Sequence, residues 1–290
     1  MIKGLICPNL TFFDSQGNLD EKTLRWHLNW ILDRGVNGLF VTGTYGSGYL
    51  MSLDERIRVY EIAKEVSINH PGTFVIGHVG TNDTKSSVAL TKAAKSIGLD
   101  AVSAVNPYTY KYTDDELTFY YEKLVKCAGE MPVLAYNNPD LTGKIIDLNL
   151  LNKFKDVGIF GIKDSTADPA YAKDVLSIKG IKYITGSNKN WPEMIKLGVD
   201  TMISGSSNYI PELIYKLYSS RDDSVFDIYE EINKINKVVK SGNSIISSHL
   251  ALHSRGYNAG FTRNPLILDY EKYAENIEKI KSCYEAHGVK

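Results

Sequence analysis

Short, nearly continuous apolar runs alternate along this chain with longer stretches in which apolar residues return every three or four positions. The short runs, at 4–9, 38–42, 74–78, 101–105, 132–136, 158–163, 182–185 and 201–204, lack the polar alternation of a half-exposed strand and read as strands buried on both faces. The periodic stretches between them, at 21–34, 53–68, 84–97, 114–127, 148–155, 168–176, 191–196 and 211–218, predict amphipathic helices. Ser52 with Glu55 forms a capping-box signature, and Pro211 stands where a first-turn proline is expected. Gly35 and Gly98 each end a helical run just before the next strand.

Eight βα units with right-handed crossovers predict a closed (β/α)₈ TIM barrel over residues 1–221. A doubly wound open sheet is the rival, but it is expected to carry a Gly-rich cofactor fingerprint after its first strand. Pro8-Asn9-Leu10-Thr11 is not one. Beyond residue 222 the pattern is wholly helical, at 225–239, 245–254 and 264–284, so residues 222–290 are expected to pack on the barrel as an extension.

Two of the strand runs end in chemistry. Met131–Tyr136 closes on a tyrosine and 157–163 on Lys163, 27 residues later, room for a turn, a helix and a return. The two side chains are therefore expected at the same end of neighbouring strands, the end where parallel α/β folds keep their sites. Desolvation there lowers a lysine's pKa and frees its lone pair to attack a ketone as a Schiff-base nucleophile. Tyr136, one strand away, is placed to shuttle the protons that imine formation requires. The competing reading has Lys163 snorkelling to a surface ion pair with Asp164, and Tyr136 as one buried structural tyrosine among 19.

After the second strand, Thr42-Gly43-Thr44-Tyr45-Gly46-Ser47-Gly48 leaves backbone N–H groups free to cradle an anion such as a carboxylate, without matching a Walker A loop or a G-x-G-x-x-G fingerprint. Gly186-Ser187 and Ser204-Gly205-Ser206 follow strands seven and eight, where barrels bind anions, although each also reads as a tight turn.

The ordered motifs Gly43-Thr44-Tyr45-Gly46, Tyr136-Asn137-Asn138-Pro139, Gly161-Ile162-Lys163-Asp164-Ser165 and Thr185-Gly186-Ser187 resemble those of the N-acetylneuraminate lyase and dihydrodipicolinate synthase family. The resemblance spans nearly the whole chain. It implies a pyruvate-dependent class I aldolase or lyase, usually a homotetramer, that works through a covalent lysine imine without metal or organic cofactor. Carried over residue by residue, it makes Lys163 the imine-forming lysine and Tyr136 the proton shuttle. Gly43, Thr44 and Tyr45 then hold the keto-acid carboxylate, while Tyr108, Asn138, Gly186, Ser187 and Ser204 face the rest of the substrate. Leu141 stands where dihydrodipicolinate synthases carry an arginine, and Thr109 where they place an interface tyrosine, with Tyr108 or Tyr110 able to substitute after a small shift. The loop form Gly-Thr-x-Gly-x-Gly is closer to archaeal 2-keto-3-deoxygluconate aldolases, which release pyruvate and glyceraldehyde. Asn138 favours the unphosphorylated sugar acid, with Lys111 and Arg255 as candidate phosphate ligands. Rival readings are N-acetylneuraminate lyase, a keto-deoxy sugar acid dehydratase and a keto-acid sensor that has lost catalysis.

Composition narrows the remaining classes. A net charge of −1 gives no electrostatic case for nucleic acid or an anionic membrane. No run approaches the length of a membrane span, and no signal-peptide pattern opens the chain. Three scattered cysteines suggest neither a disulfide framework nor a zinc site, and a cytoplasmic setting is expected. His249 and His253 have the i, i+4 spacing of metal ligands but no third ligand in view, so packing is the expectation. His78 ends the third strand without a visible partner.

Overall fold

In the computed structural model, which describes residues 2–290, the strands β1 (Gly4–Cys7), β2 (Gly38–Val41), β3 (Phe74–His78), β4 (Ala101–Val105), β5 (Val133–Asn137), β6 (Gly161–Asp164), β7 (Lys182–Thr185) and β8 (Thr201–Ile203) form one parallel sheet in sequence order. Pairing of β1 with β8 closes it into a barrel. The helices α1 (Glu21–Leu32), α2 (Leu53–Ile68), α3 (Thr84–Ile97), α4 (Asp114–Ala128), α5 (Pro139–Thr142), α6 (Leu148–Asp156), α7 (Pro169–Leu176), α8 (Trp191–Lys196) and α9 (Pro211–Ser219) cover it. Then come α10 (Ser224–Val239), α11 (Ser244–His253) and α12 (Ala274–Ala286). The expected (β/α)₈ barrel is therefore the fold.

Strand alternation sorts the apolar residues into two cores. Ile6, Phe40, Ile76, Val105, Leu134, Tyr136, Ile184 and Ile203 fill the barrel interior. Leu5, Cys7, Leu39, Val41, Val75 and Ala135 face outward into the layer between sheet and helices. The predicted capping box forms, with Ser52 and Glu55 making both of its bonds on α2, and Thr113 with Glu116 makes another on α4 that the sequence reading did not name. Gly98 ends α3 in the left-handed region.

One expected helix forms only in its second half. The run 264–284 is helical only from Ala274, because Pro265 cannot continue a helix and the Asp269 side chain accepts the N–H groups of Glu271 and Lys272, holding a turn. Leu268 still buries itself in the core, which is why the segment reads as periodic. Sequence periodicity also missed α5 and the short 3₁₀ turns Gly48–Leu50 and Gly205–Asn208.

The extension is joined to the barrel by a buried aromatic stack. Phe12 lies between His27 of α1 and His249 of α11, at ring distances of 5.1 and 5.3 Å. His27 Nε2 donates to the carbonyl of Asn208 and His249 Nδ1 to that of Ala259. His253 instead stacks on Tyr270 at 4.4 Å, and the two histidines share no ligand-like arrangement. Burial lowers the pKa of both His27 and His249 to about 4.

An unfolded chain binds protons at these histidines below about pH 6.5, whereas the folded chain does so only near pH 4, so their contribution is intact above pH 6.5 and is lost as pH falls toward 4. We expect denaturant-measured stability to drop by roughly 2 kcal/mol per histidine between pH 7.5 and pH 5. Replacing both by phenylalanine should flatten that pH dependence, and an unchanged slope would show that other groups carry it.

Candidate active site

The register that aligns β5 with β6 pairs Tyr136 with Lys163 on one rung, and Asn137 with Asp164 on the next. Both residues of the first rung face the barrel interior at its C-terminal end. The Lys163 ammonium lies 3.7 Å from the centre of the Tyr136 ring and 4.0 Å from that of Phe40, and only 4% of the residue is exposed. Burial pushes its pKa below the ordinary lysine value, and Tyr136 partly offsets this. The proposed ion pair with Asp164 does not form, because strand alternation sends the carboxylate to the outer side of the sheet. There Asp164 accepts from Asn137 Nδ2 (2.8 Å), Tyr183 Oη (3.0 Å), Thr166 Oγ1 (2.7 Å) and the Thr166 N–H (3.2 Å).

The Tyr136 hydroxyl oxygen accepts from Asn138 Nδ2 at 3.2 Å and Ser165 Oγ at 3.3 Å. Burial pushes this phenol's pKa up, but the adjacent Lys163 charge and hydrogen bonds from Ser165, Lys163 and Thr44 outweigh it, so the net shift is downward. A lysine with a lowered pKa in contact with a tyrosine of lowered pKa is an arrangement able to supply a nucleophile beside a proton carrier.

Above them sits the Gly-rich loop. Thr42 and Ser47 adopt left-handed backbone at φ 55° and 53°. A Cβ on Gly48 would stand 1.8 Å from the Thr42 carbonyl oxygen, and one on Gly43 2.6 Å from the Phe40 ring, so both positions require glycine. The turn is fixed by Ser47 N–H to Thr44 O, Gly48 N–H to Gly43 O, and the Thr11 hydroxyl to Gly46 O. Among the described residues, the N–H groups of Thr44, Tyr45 and Gly46 have no protein acceptor, and together they form a concavity suited to a carboxylate. The Tyr45 ring turns away, against Gly205 and toward Ser244 and Ser248 of α11, so only its backbone is offered to the mouth.

The remaining expected residues divide. Tyr108 packs edge-on against Tyr49 at 5.4 Å and so reaches the interior, whereas Tyr110 is 73% exposed. Ser204 donates to Asn188 across the tops of β8 and β7. Gly186 is wedged against Asp164 and Ser165, where a side chain would clash, and Ser187 is partly buried after β7. Arg255 is a correction: it is ion-paired to Glu212 at 2.7 Å, bonded to the Tyr209 carbonyl and stacked on Trp30, so it is committed to joining α9 and α1. Lys111 lies beside a cavity of ≈ 420 Å³ shared with Tyr108, Tyr110 and Lys144.

Sequence reading passed over Phe40, Tyr49 and Arg56 and left His78 without a partner. The His78 ring stands 6.0 Å from Tyr136 and 5.6 Å from Tyr49, and Arg56 of α2 donates to both its Nδ1 and its carbonyl. Burial, then the Arg56 and Lys163 charges, hold His78 well below the ordinary histidine range, as a neutral ring. Phe40 was detectable in principle, since alternation along β2 turns it inward with Gly38. Arg56 carries no such signal, because a basic residue on a helix reads as solvent-facing.

The profile of the dihydrodipicolinate synthetase family matches residues 1–283. An uncharacterized DapA-like lyase of Pyrococcus furiosus is 27% identical over 291 residues, covering 96% of each chain. N-acetylneuraminate lyase of Salmonella paratyphi B is 34% identical over 168 residues, 58% of this chain and 56% of that one. The structure of a Sulfolobus solfataricus 2-keto-3-deoxygluconate aldolase variant superposes with a TM-score of 0.88 at 24% identity over 99% of both chains, a likeness of fold.

Removing one aromatic face from the ammonium should make it harder to keep charged. Phe40→Leu is expected to lower the Lys163 pKa further, because a desolvated cation–π contact favours the charged form. The pH dependence of Lys163 acylation, read by peptide mass mapping, measures it, and an unshifted profile would leave Tyr136 as the only ring that matters. Gly48→Ala should disrupt the loop and lower the melting temperature, since the backbone clash at Thr42 cannot relax by a side-chain move.

Proposed function

This chain belongs to the dihydrodipicolinate synthetase family, and from that premise we propose that it is a Schiff-base aldolase cleaving 2-keto-3-deoxygluconate to pyruvate and glyceraldehyde. The observation that carries the reading is the Tyr136–Lys163 rung: a buried lysine without a carboxylate partner, against a tyrosine whose oxygen already accepts two hydrogen bonds.

The 2-keto acid places its carboxylate on the Thr44–Gly46 amides. Lys163 Nζ, as the free amine, attacks C2, and loss of water gives an iminium. Tyr136 relays the proton that departs with the hydroxyl. Removal of the C4 hydroxyl proton through Tyr136 lets the C3–C4 bond break, its electron pair flowing into the iminium to give an enamine and free glyceraldehyde. Protonation of C3 and hydrolysis of the imine then release pyruvate and restore the amine. The lysine supplies the electron sink, so the steps as written call for neither metal nor organic cofactor.

Leu141 supports the choice of substrate. It packs on the interior cluster where a dihydrodipicolinate synthase carries a carboxylate-gripping arginine, so the aldehyde side of this mouth lacks that cation. A second reading, N-acetylneuraminate lyase, is favoured by the relative at 34% identity, and the substrate separates the two: cleavage of N-acetylneuraminate in preference to 2-keto-3-deoxygluconate, with release of N-acetylmannosamine, would replace the first reading.

Incubation with pyruvate and sodium borohydride should leave a reduced pyruvyl adduct on Lys163, located by peptide mapping. Lys163→Ala should abolish both adduct and turnover with the fold retained, and turnover surviving in that variant would end the Schiff-base reading. Tyr136→Phe should keep some adduct formation but lose about 10²-fold in rate. Wild-type turnover in that variant would remove the shuttle role.

A further inference from the structure

We infer that the groove between α3 and α4, on the outer face of the barrel, docks an acidic amphipathic helix of a partner protein. The groove encloses ≈ 1130 Å³. Its floor is apolar: Val88 and Ala89 on α3, Cys127 on α4, and the ring of Phe119, which is 55% exposed. Lys85, Lys92, Lys95, Lys123 and Lys126 rim it, and no carboxylate lines it.

The pattern is a face, not a scatter. On α3, Lys85, Val88, Ala89 and Lys92 fall at i, i+3, i+4 and i+7, and on α4, Phe119, Lys123, Lys126 and Cys127 fall at i, i+4, i+7 and i+8. Two apolar stripes edged by cations thus run side by side. The groove's lining runs from Thr84 to Ser96 along α3, about 18 Å, with Val88 and Ala89 as the apolar positions on that side.

Lys85 adds to the charges that lower the pKa of Asp83, but the groove's lysines are otherwise free of acidic partners among the described residues. None of the five lysines is within ion-pair distance of a carboxylate among the described residues, and α3 contains no acidic residue. The neighbouring α1–α2 surface shows the contrast, with Arg25 and Arg58 paired to Glu21, Glu61 and Glu65. With a net charge of −1 for the whole chain, the excess in the groove is local. Lys95 and Lys126 also lie in the last turns of their helices, where they complement the helix dipole, but that leaves Lys85, Lys92 and Lys123 without such a role. Lys123 lies over Phe119 at 4.3 Å, covering the ring only from one side.

A third helix laid in the groove would bury its apolar stripe on Val88, Ala89 and Phe119 and set its flanking carboxylates against the lysines, the helix-in-groove mode of recognition. A nucleic acid would leave the apolar floor uncompensated, and a flat bilayer would not fill a concavity.

The test uses the full-length protein and a dye-labelled 18-residue helical peptide with leucines at i, i+3, i+4 and i+7 and glutamates on both flanks, followed by fluorescence anisotropy. Binding should weaken at least 10-fold with Lys92→Glu and Lys123→Glu together and several-fold with Phe119→Ala, with the circular dichroism of each variant unchanged. A scrambled peptide of the same composition should bind at least 10-fold more weakly than the patterned one. The inference fails if the patterned peptide does not bind, if the scrambled one binds equally, or if the lysine replacements leave its affinity unchanged. It also fails if single-stranded DNA or phosphatidylserine vesicles compete for the groove more tightly than the peptide.

Discussion

An ammonium group inside an apolar barrel, held by aromatic faces with no carboxylate beside it, is the constraint on which the mouth of this molecule depends. Taking a cation out of water costs several kcal/mol, and two cation–π contacts worth about 2 kcal/mol each when desolvated recover only part of it. The shortfall lowers the pKa of Lys163, and the same charge draws down that of Tyr136 and helps keep His78 neutral. Three residues on three strands thus have their protonation coupled through one buried charge, with burial and Arg56 acting alongside it at His78.

That arrangement requires accurate strand tops, and the outer side of the sheet provides them. Asp164 gathers four hydrogen bonds from β5, β7 and the loop after β6 directly behind Lys163. Asn137 in turn uses its side-chain oxygen to accept the Ile146 N–H. Arg56 serves β3 similarly, bonding the carbonyls of His78 and Gly80. Buried polar groups bonded to several strands in this way rigidify the backbone around them.

The helical extension reaches the same mouth indirectly. The Tyr45 ring packs over Gly205 toward α11, while its backbone N–H stays with the Gly-rich turn, so the loop after β2 is braced by the extension. The Phe12 stack between His27 and His249 fixes α11 against α1.

Eight apolar runs spaced by amphipathic helices determined the barrel on their own, because a buried parallel strand and a covering helix leave distinct periodicities. The ends of two runs likewise determined that Tyr136 and Lys163 would meet. What remained illegible depended on contacts between distant segments. Whether Lys163 pairs with Asp164 is decided by strand alternation at one rung, and whether Arg255 is free is decided by Glu212, 43 positions away in sequence. Phe40 of β2 meets the lysine, and Arg56 of α2 holds His78 of β3 beside Tyr136, only once the barrel closes. The helix expected over 264–284 begins only at Ala274 because Pro265 and Asp269 impose a turn whose buried Leu268 mimics helical spacing. Local patterns record which face of an element is buried, and only the tertiary structure decides against which partner it is buried.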